Sequence, residues 1–254
     1  MILAVDMGNT NICVGCVDDE TVHFTERIST DLGKTELEYA VLLKTILELY
    51  GISPEKIGGV IISSVVPRLT HVVKNAIRKV TSQNPMVVGA GIRTGLNIRI
   101  DDPGTLGADL AVDSVAALNY YGAPCIVIDM GTATTMTAID RDRNYIGGII
   151  FPGVNVSLQS LVDTTSLLPG ISLATPKTII GRNTMDAMKS GIIYGEASRI
   201  DGMIDRFEEE LGYETTVVAT GGLAGIIVPN CRHEIKLDPD LLLKGLKVIY
   251  DKNR

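Results

Sequence analysis

Apolar residues first recur along the chain in runs of strand length. ILAV (2–5), NICVGCV (11–17) and VHFTERI (22–28) predict three consecutive strands, with Asp18-Asp19 as a turn signal. The period then changes. Leu37, Ala40, Val41, Leu43, Ile46, Leu47 and Tyr50 form one broad apolar stripe, which predicts a helix over 36–50 closed by Gly51. GGVIISSVV (58–66) is apolar enough for a buried strand, and Pro67 suits the first turn of a helix running to about Val80. MVVG (86–89) predicts one more short strand.

The pattern then begins again. A helix over 108–119 is followed by Tyr120-Tyr121-Gly122 and Pro124, the natural boundary between two halves, 1–122 and 123–254. CIVIDMG, TTMTAID and YIGGIIF again read as three short strands, with a helix from about Val154. Pro169, Gly170, Pro176 and Gly181 make 167–182 a loop. A long helix over 184–211, the buried strand TTVVAT ending in Gly221-Gly222, and a last helix over 241–250 complete the chain. Matching order in both halves predicts an α/β protein of two similar lobes with a cleft between them.

One segment sharpens the repeat. AVDMGNT (4–10) returns as VIDMGTA (127–133), each copy an apolar run ending in an acid, then a glycine, then small polar residues. A tight turn at Gly8 lets backbone N–H groups approach a phosphate, Asn9 and Thr10 add donors, and Asp6 can hold a cation directly or through water. The Asp129–Ala133 copy offers a second grip on a polyphosphate. Ordinary hairpin turns are the competing account for either copy alone. Neither GxxxxGK[ST] nor GxGxxG occurs, so phosphate must be held by other means.

Composition narrows the partners. Of the 254 residues 45% are apolar and 21% charged, as in ordinary globular proteins. A net charge of −7, no Trp and three Phe argue against nucleic acid. No apolar stretch reaches the roughly 18 residues of a membrane span, and MILAVDMG lacks a secretory pattern, so a cytoplasmic protein is expected. Cys13 and Cys16 have CxxC spacing, but residues three apart in a strand face opposite ways and no second pair completes a zinc site. Buried thiols are the expectation. His23, His71 and His233 share no motif.

A third acid, Asp109, stands just inside a helix start, where it suits a general base and suits helix capping equally well. Gly221-Gly222 at a strand end can let a flat ligand such as adenine lie on the backbone, or can simply turn the chain.

Seven motifs in order, DMGNT, TGLNI (94–98), GAD (107–109), DMGTATT, GGIIFPG (147–153), the segment from Ile180 to Gly191 and ATGGLA (219–224), together resemble the type III pantothenate kinases. The likeness runs from residue 1 to at least 225. It implies two ribonuclease-H-like lobes, as in actin-like ATPases, and transfer of phosphate from ATP to the hydroxyl of pantothenate at the start of coenzyme A synthesis. It implies ATP contacts from Asp6, Gly8, Asn9, Thr10 and Asn11 to Cys13, and at Thr132, Gly221 and Gly222. Asp109 resembles the catalytic base, Asp129 a ligand for K+ or NH4+, and Asp6 a partner of Mg2+. Gly107, Ala108, Asp109, Leu110 and Thr184 match substrate positions, and the resemblance implies a homodimer.

The departures cluster. Leu110, Asp113, Ile100 and Asp102 stand where the family usually has Arg, Asn, Tyr and Asn, all around the acceptor pocket. Leucine cannot replace a bidentate partner for a carboxylate. Two other readings therefore stay open: a kinase of another hydroxyl acceptor, and a nucleotide-binding regulatory protein that has lost the reaction.

Overall fold

The computed structural model describes residues 1–19 and 21–254. The chain forms two compact units. The first holds Met1–Leu96, Asp102–Asn119 and Asp240–Arg254, and the second Asn97–Asp101 and Tyr120–Pro239.

The first unit is built on β1 (Ile2–Met7), β2 (Asn11–Val17), β3 (Val22–Ser29), β4 (Val60–Ser64) and β5 (Met86–Val87), in the sheet order β3-β2-β1-β4-β5. Strand β1 runs antiparallel to β2 and parallel to β4. Its near-continuous apolar run has a physical cause, because both faces of the sheet are covered. On one face lie α1 (Glu36–Leu49) and α2 (Pro67–Thr81), whose Tyr39, Leu43, Leu47, Leu69, Val73 and Ile77 pack with Leu3, Val5, Met7 and Ile62. Helix α1 starts where Thr35 and Glu38 cap each other, Thr35 N–H donating to Glu38 Oε2 at 2.7 Å.

The other face carries α3 (Ala108–Tyr120) and the C-terminal helix Leu241–Asp251. Val112, Val115, Leu243, Leu246 and Ile249 meet Ile2, Ala4 and Ile61 there. The two helices cross closely at Gly245, where a β-carbon would come 2.3 Å from the Val112 carbonyl. Lys247 of the C-terminal helix reaches Asp19 at 2.6 Å and Asp251 at 2.5 Å. Sequence reading placed residues 240–254 with the second half. The structure puts them in the first unit, because the apolar side of this helix matches the uncovered face of the first sheet.

The second unit repeats the design. Its sheet has the order β11-β10-β7-β8-β9-β6, formed by β6 (Asn97–Ile98), β7 (Cys125–Met130), β8 (Ala133–Ile139), β9 (Asn144–Pro152), β10 (Thr216–Thr220) and β11 (Lys236–Leu237). The run β9-β8-β7-β10-β11 matches β3-β2-β1-β4-β5 position for position, so the repeat seen in the sequence is a repeat of topology. Helices α4 (Val154–Thr164), α5 (Thr184–Leu211) and α6 (Ala224–Ile227) cover one face, where Ile193, Ala197, Ile200 and Ile204 pack on Ile126, Ile128 and Ala219. Residues 167–182 hold no helix or strand, as their prolines and glycines predict. Among the described residues no helix is long and apolar enough to cross a membrane, the 28-residue α5 included.

Candidate active site

Asp6 and Asp129 are each the fifth residue of the central strand in their own unit. Both are half-buried, and an exposed turn follows each. The two turns differ in length. Four residues, 8–11, separate the last ladder pair Met7–Ile12, whereas three, 131–133, separate Met130 from Thr134. Gly8 N–H donates to Asn11 O and Gly131 N–H to Ala133 O, both at 3.0 Å.

Each turn is tied to the end of the third strand beside it. In the first unit Thr30 N–H donates to Thr10 O at 2.9 Å, and Thr30 Oγ1 to Gly8 O at 2.6 Å. In the second, Gly153 N–H donates to Thr132 O at 3.1 Å. A β-carbon at 153 would fall 2.5 Å from the carbonyl oxygens of Gly131 and Thr132, so only glycine admits the turn so close.

A thiol and a hydroxyl flank Asp6, and two hydroxyls flank Asp129. Asp6 lies in register with Cys13 on β2 and Ser63 on β4, and Asp129 with Thr135 on β8 and Thr220 on β10. Ser63 Oγ and Thr135 Oγ1 are buried and make no hydrogen bond among the described residues. An orphaned buried oxygen beside a carboxylate is the donor set that a hard cation takes. The residues at both acids therefore fit a cation, and sequence reading, which found the acids, missed these partners because only strand register reveals them.

Gly221 has a stronger reason to be glycine than the turn alone. Its φ is +96°, and a β-carbon there would lie 2.6 Å from Asp129 Oδ1 and from the Met130 backbone. Gly131, Gly153, Gly221 and Asp129 thus come together around one turn. Gly222 beside them is exposed.

In the first unit, Gly107 O accepts the first helical bond of α3 from Ala111 N–H at 3.1 Å. Asp109 therefore stands two residues inside the helix, not at its cap. Its Oδ1 accepts Leu110 N–H at 2.9 Å, which fixes the carboxylate. A β-carbon on Gly107 would sit 2.5 Å from that same oxygen. Leu110 is half-buried and Asp113, one turn on, is 2% exposed. Asp102 caps a short turn by accepting Gly104 N–H at 3.0 Å, while Ile100 belongs to the second unit, near Gly147.

Thr184 opens α5 behind an Asn183 cap, whose Oδ1 accepts Asp186 N–H at 2.9 Å. With Arg182, Leu161, Leu168, Met188 and Ile192 it lines an open cavity of about 720 Å³. The proposed substrate positions are thereby split, 107–110 in the first unit and Thr184 in the second.

Cys13 and Cys16 pack on opposite faces of the first sheet, Cys16 with α1 and α2 and Cys13 with the C-terminal helix side. Burial pushes the Cys13 thiol up to about 11, helped by the charge of Asp6, and burial pushes Cys16 to about 12.

The profile of the type III pantothenate kinases matches residues 2–206. The type III pantothenate kinase of Halalkalibacterium halodurans is 43% identical over 253 residues, covering all of both chains. Among solved structures, a Campylobacter jejuni protein described as a Baf family transcriptional activator superposes with a TM-score of 0.61 at 21% identity, over 99% of this chain and 98% of its own. MreB 5 of Spiroplasma citri, bound to AMPPNP, gives 0.55 at 12%, over 99% and 96%. At such identities the structural likeness is one of fold, the two-lobed α/β fold expected from the repeat. The full-length relative and the matched profile say more: this chain belongs to the type III pantothenate kinase family.

Proposed function

We propose that the protein transfers the γ-phosphoryl group of ATP to the primary hydroxyl of pantothenate, the first step of coenzyme A synthesis, in the cytoplasm. Family membership over the full length carries this reading, and the two Asp-x-Gly turns in equivalent register supply its chemistry. The first turn, Gly8 to Asn11, and the second, around Thr132, hold the phosphates through backbone N–H groups and short polar side chains. The hairpin from Asp6 on β1 to Cys13 on β2 completes the first contact. Gly221 and Gly222 take the adenosine side.

Asp109 is the general base. Leu110 N–H holds one carboxylate oxygen, and Oδ2 accepts the proton of the attacking hydroxyl. Gly107 and Ala108 shape the approach to it, and Thr184 binds the acceptor from the cavity at the start of α5. Asp6 with Ser63 would hold Mg2+, and Asp129 with Thr135 and Thr220 a monovalent ion, K+ or NH4+. These cations neutralise phosphate charge when bound.

A homodimer completes the reading. Leu167, Ile179 and Ile180 of the second unit are 90%, 67% and 79% exposed, with Ile150 and Met185 also open. These are side chains that a covering molecule would bury, and a second copy, as family membership suggests, is the partner we assign.

The decisive assay incubates purified protein with Mg-ATP, K+ and pantothenate and reads 4'-phosphopantothenate. No product overturns the assignment. Leu110 favours one other reading, an acceptor without a carboxylate, because no guanidinium stands at that position. A panel of hydroxyl acceptors with labelled ATP separates the two.

A further inference from the structure

We infer that Glu196 and Arg199 of α5 form a positioning brace for the second turn and so set the affinity for the nucleotide. The inference rests on the assignment of that turn to ATP phosphate.

Glu196 is a carboxylate only 5% exposed, in the middle of α5, and the proposed chemistry does not use it. Burial raises its pKa, and the Arg199 guanidinium opposes that rise. Its Oε1 accepts the hydroxyl of Thr134 at 3.3 Å, and its Oε2 takes Arg199 Nη2. The same guanidinium donates to Pro152 O at 3.4 Å and lies over the Phe151 ring, 4.1 Å from its centre.

These contacts bracket the turn. Thr134, fully buried, is the second residue of β8 and pairs with Met130. Pro152 ends β9 and precedes Gly153, whose N–H holds Thr132 O. One acid–arginine pair therefore fastens both segments between which residues 131–133 are held. The first turn is fastened by Thr30, through its N–H and its hydroxyl. Glu196 is buried while the Arg199 side chain is 37% exposed, and an ion pair so placed adds little net stability; its best-attested value is to fix one geometry. Here the fixed geometry is that of a phosphate-facing backbone.

Thr184, the proposed acceptor contact, lies twelve residues earlier on α5, roughly 18 Å along the axis at about 1.5 Å per residue. Loosening the brace therefore acts on ATP and spares the acceptor.

The test is steady-state kinetics of Thr134→Val, Thr134→Ser and Glu196→Gln with both substrates varied. Removing the hydroxyl or the charge raises KM for ATP about tenfold, with KM for pantothenate within about twofold, while Thr134→Ser keeps the wild-type ATP value. A purely structural role lowers the amount of folded enzyme and moves neither KM. Unchanged ATP KM in Thr134→Val and Glu196→Gln, or equal changes for both substrates, overturns the brace while leaving the kinase assignment standing. An unmodified protein that turns over no ATP overturns both. Thr134→Val is nearly isosteric, so the comparison survives if Glu196→Gln does not fold.

Discussion

Gly221 packs on Asp129 so tightly that a β-carbon would come within 2.6 Å of the carboxylate oxygen. The contact joins the end of β10 to the end of β7, under the second turn. Gly221→Ala meets both this clash and a φ of +96°, which non-glycine residues adopt only at a cost of about 1–3 kcal/mol. It should lower stability by at least that much in urea unfolding and weaken ATP binding. Gly225→Ala is the control, since nothing lies within 4 Å of its β-carbon position and it sits in α6. Equal stabilities for the two variants would refute this account of the Gly-Gly pair.

Asp109→Asn keeps an acceptor for Leu110 N–H, so the start of α3 should stay intact. The loss falls on proton transfer, and kcat should drop about 10²–10⁴-fold with the thermal midpoint unchanged. Turnover near that of the parent protein would remove Asp109 from the base role. Gly107→Ala tests the same geometry from outside. Its β-carbon would displace Oδ1 of Asp109, and kcat should fall without any change of charge.

The sequence made the acids legible because a repeat of five positions needs no three-dimensional information. The helices were legible because a 3.6-residue period survives over seven or more residues, and the central strands because their short apolar runs are bounded by turn residues. Strands β6 and β11 have two residues each, too short to show any period, and pairing with β9 and β10 alone makes them strands. Ser63 and Thr135 gained their places only through register, and Thr30 through its hydrogen bonds to the first turn, both of which link residues far apart in the chain. For Asp109 the sequence left cap and base open; the bond from Ala111 N–H to Gly107 O puts the cap position at Gly107, while the Asp109 carboxylate still takes a first-turn N–H, that of Leu110.

The C-terminal helix, α7 (Leu241–Asp251), shows the limit most plainly. Its periodicity predicted a helix, but an apolar stripe does not say which sheet it will meet. In the structure Leu243, Leu246 and Ile249, each at most 1% exposed, join Ile2, Ala4 and Ile61 of the first unit. Leu246→Ala should therefore cost about 2–5 kcal/mol. Hydrogen exchange should show the loss of protection in β1 and β4. Protection lost in β7 and β10 instead would contradict the packing.

The four thiols give the protein an alkaline limit. Burial holds Cys16, Cys125 and Cys231 at about 12, against 9.0 for a free thiol. Between these values the unfolded chain has released its protons while the folded chain keeps them. The folded state then binds more protons, so stability falls as pH rises. The thiols' contribution is fully present below about pH 9 and is lost progressively towards pH 12. One unit above the free-thiol value, Cys16 and Cys125 each lower stability by roughly 1.4 kcal/mol relative to neutral pH, and the half-exposed Cys231 by less, since solvent screens it. Urea unfolding at pH 7, 8, 9 and 10 should show this slope, and Cys125→Ala should flatten it by one thiol's share while lowering stability somewhat at every pH. An identical slope in the variant would mean that Cys125 titrates in the folded protein as it does in the unfolded chain, and its burial against β8 and β10 would have to be wrong.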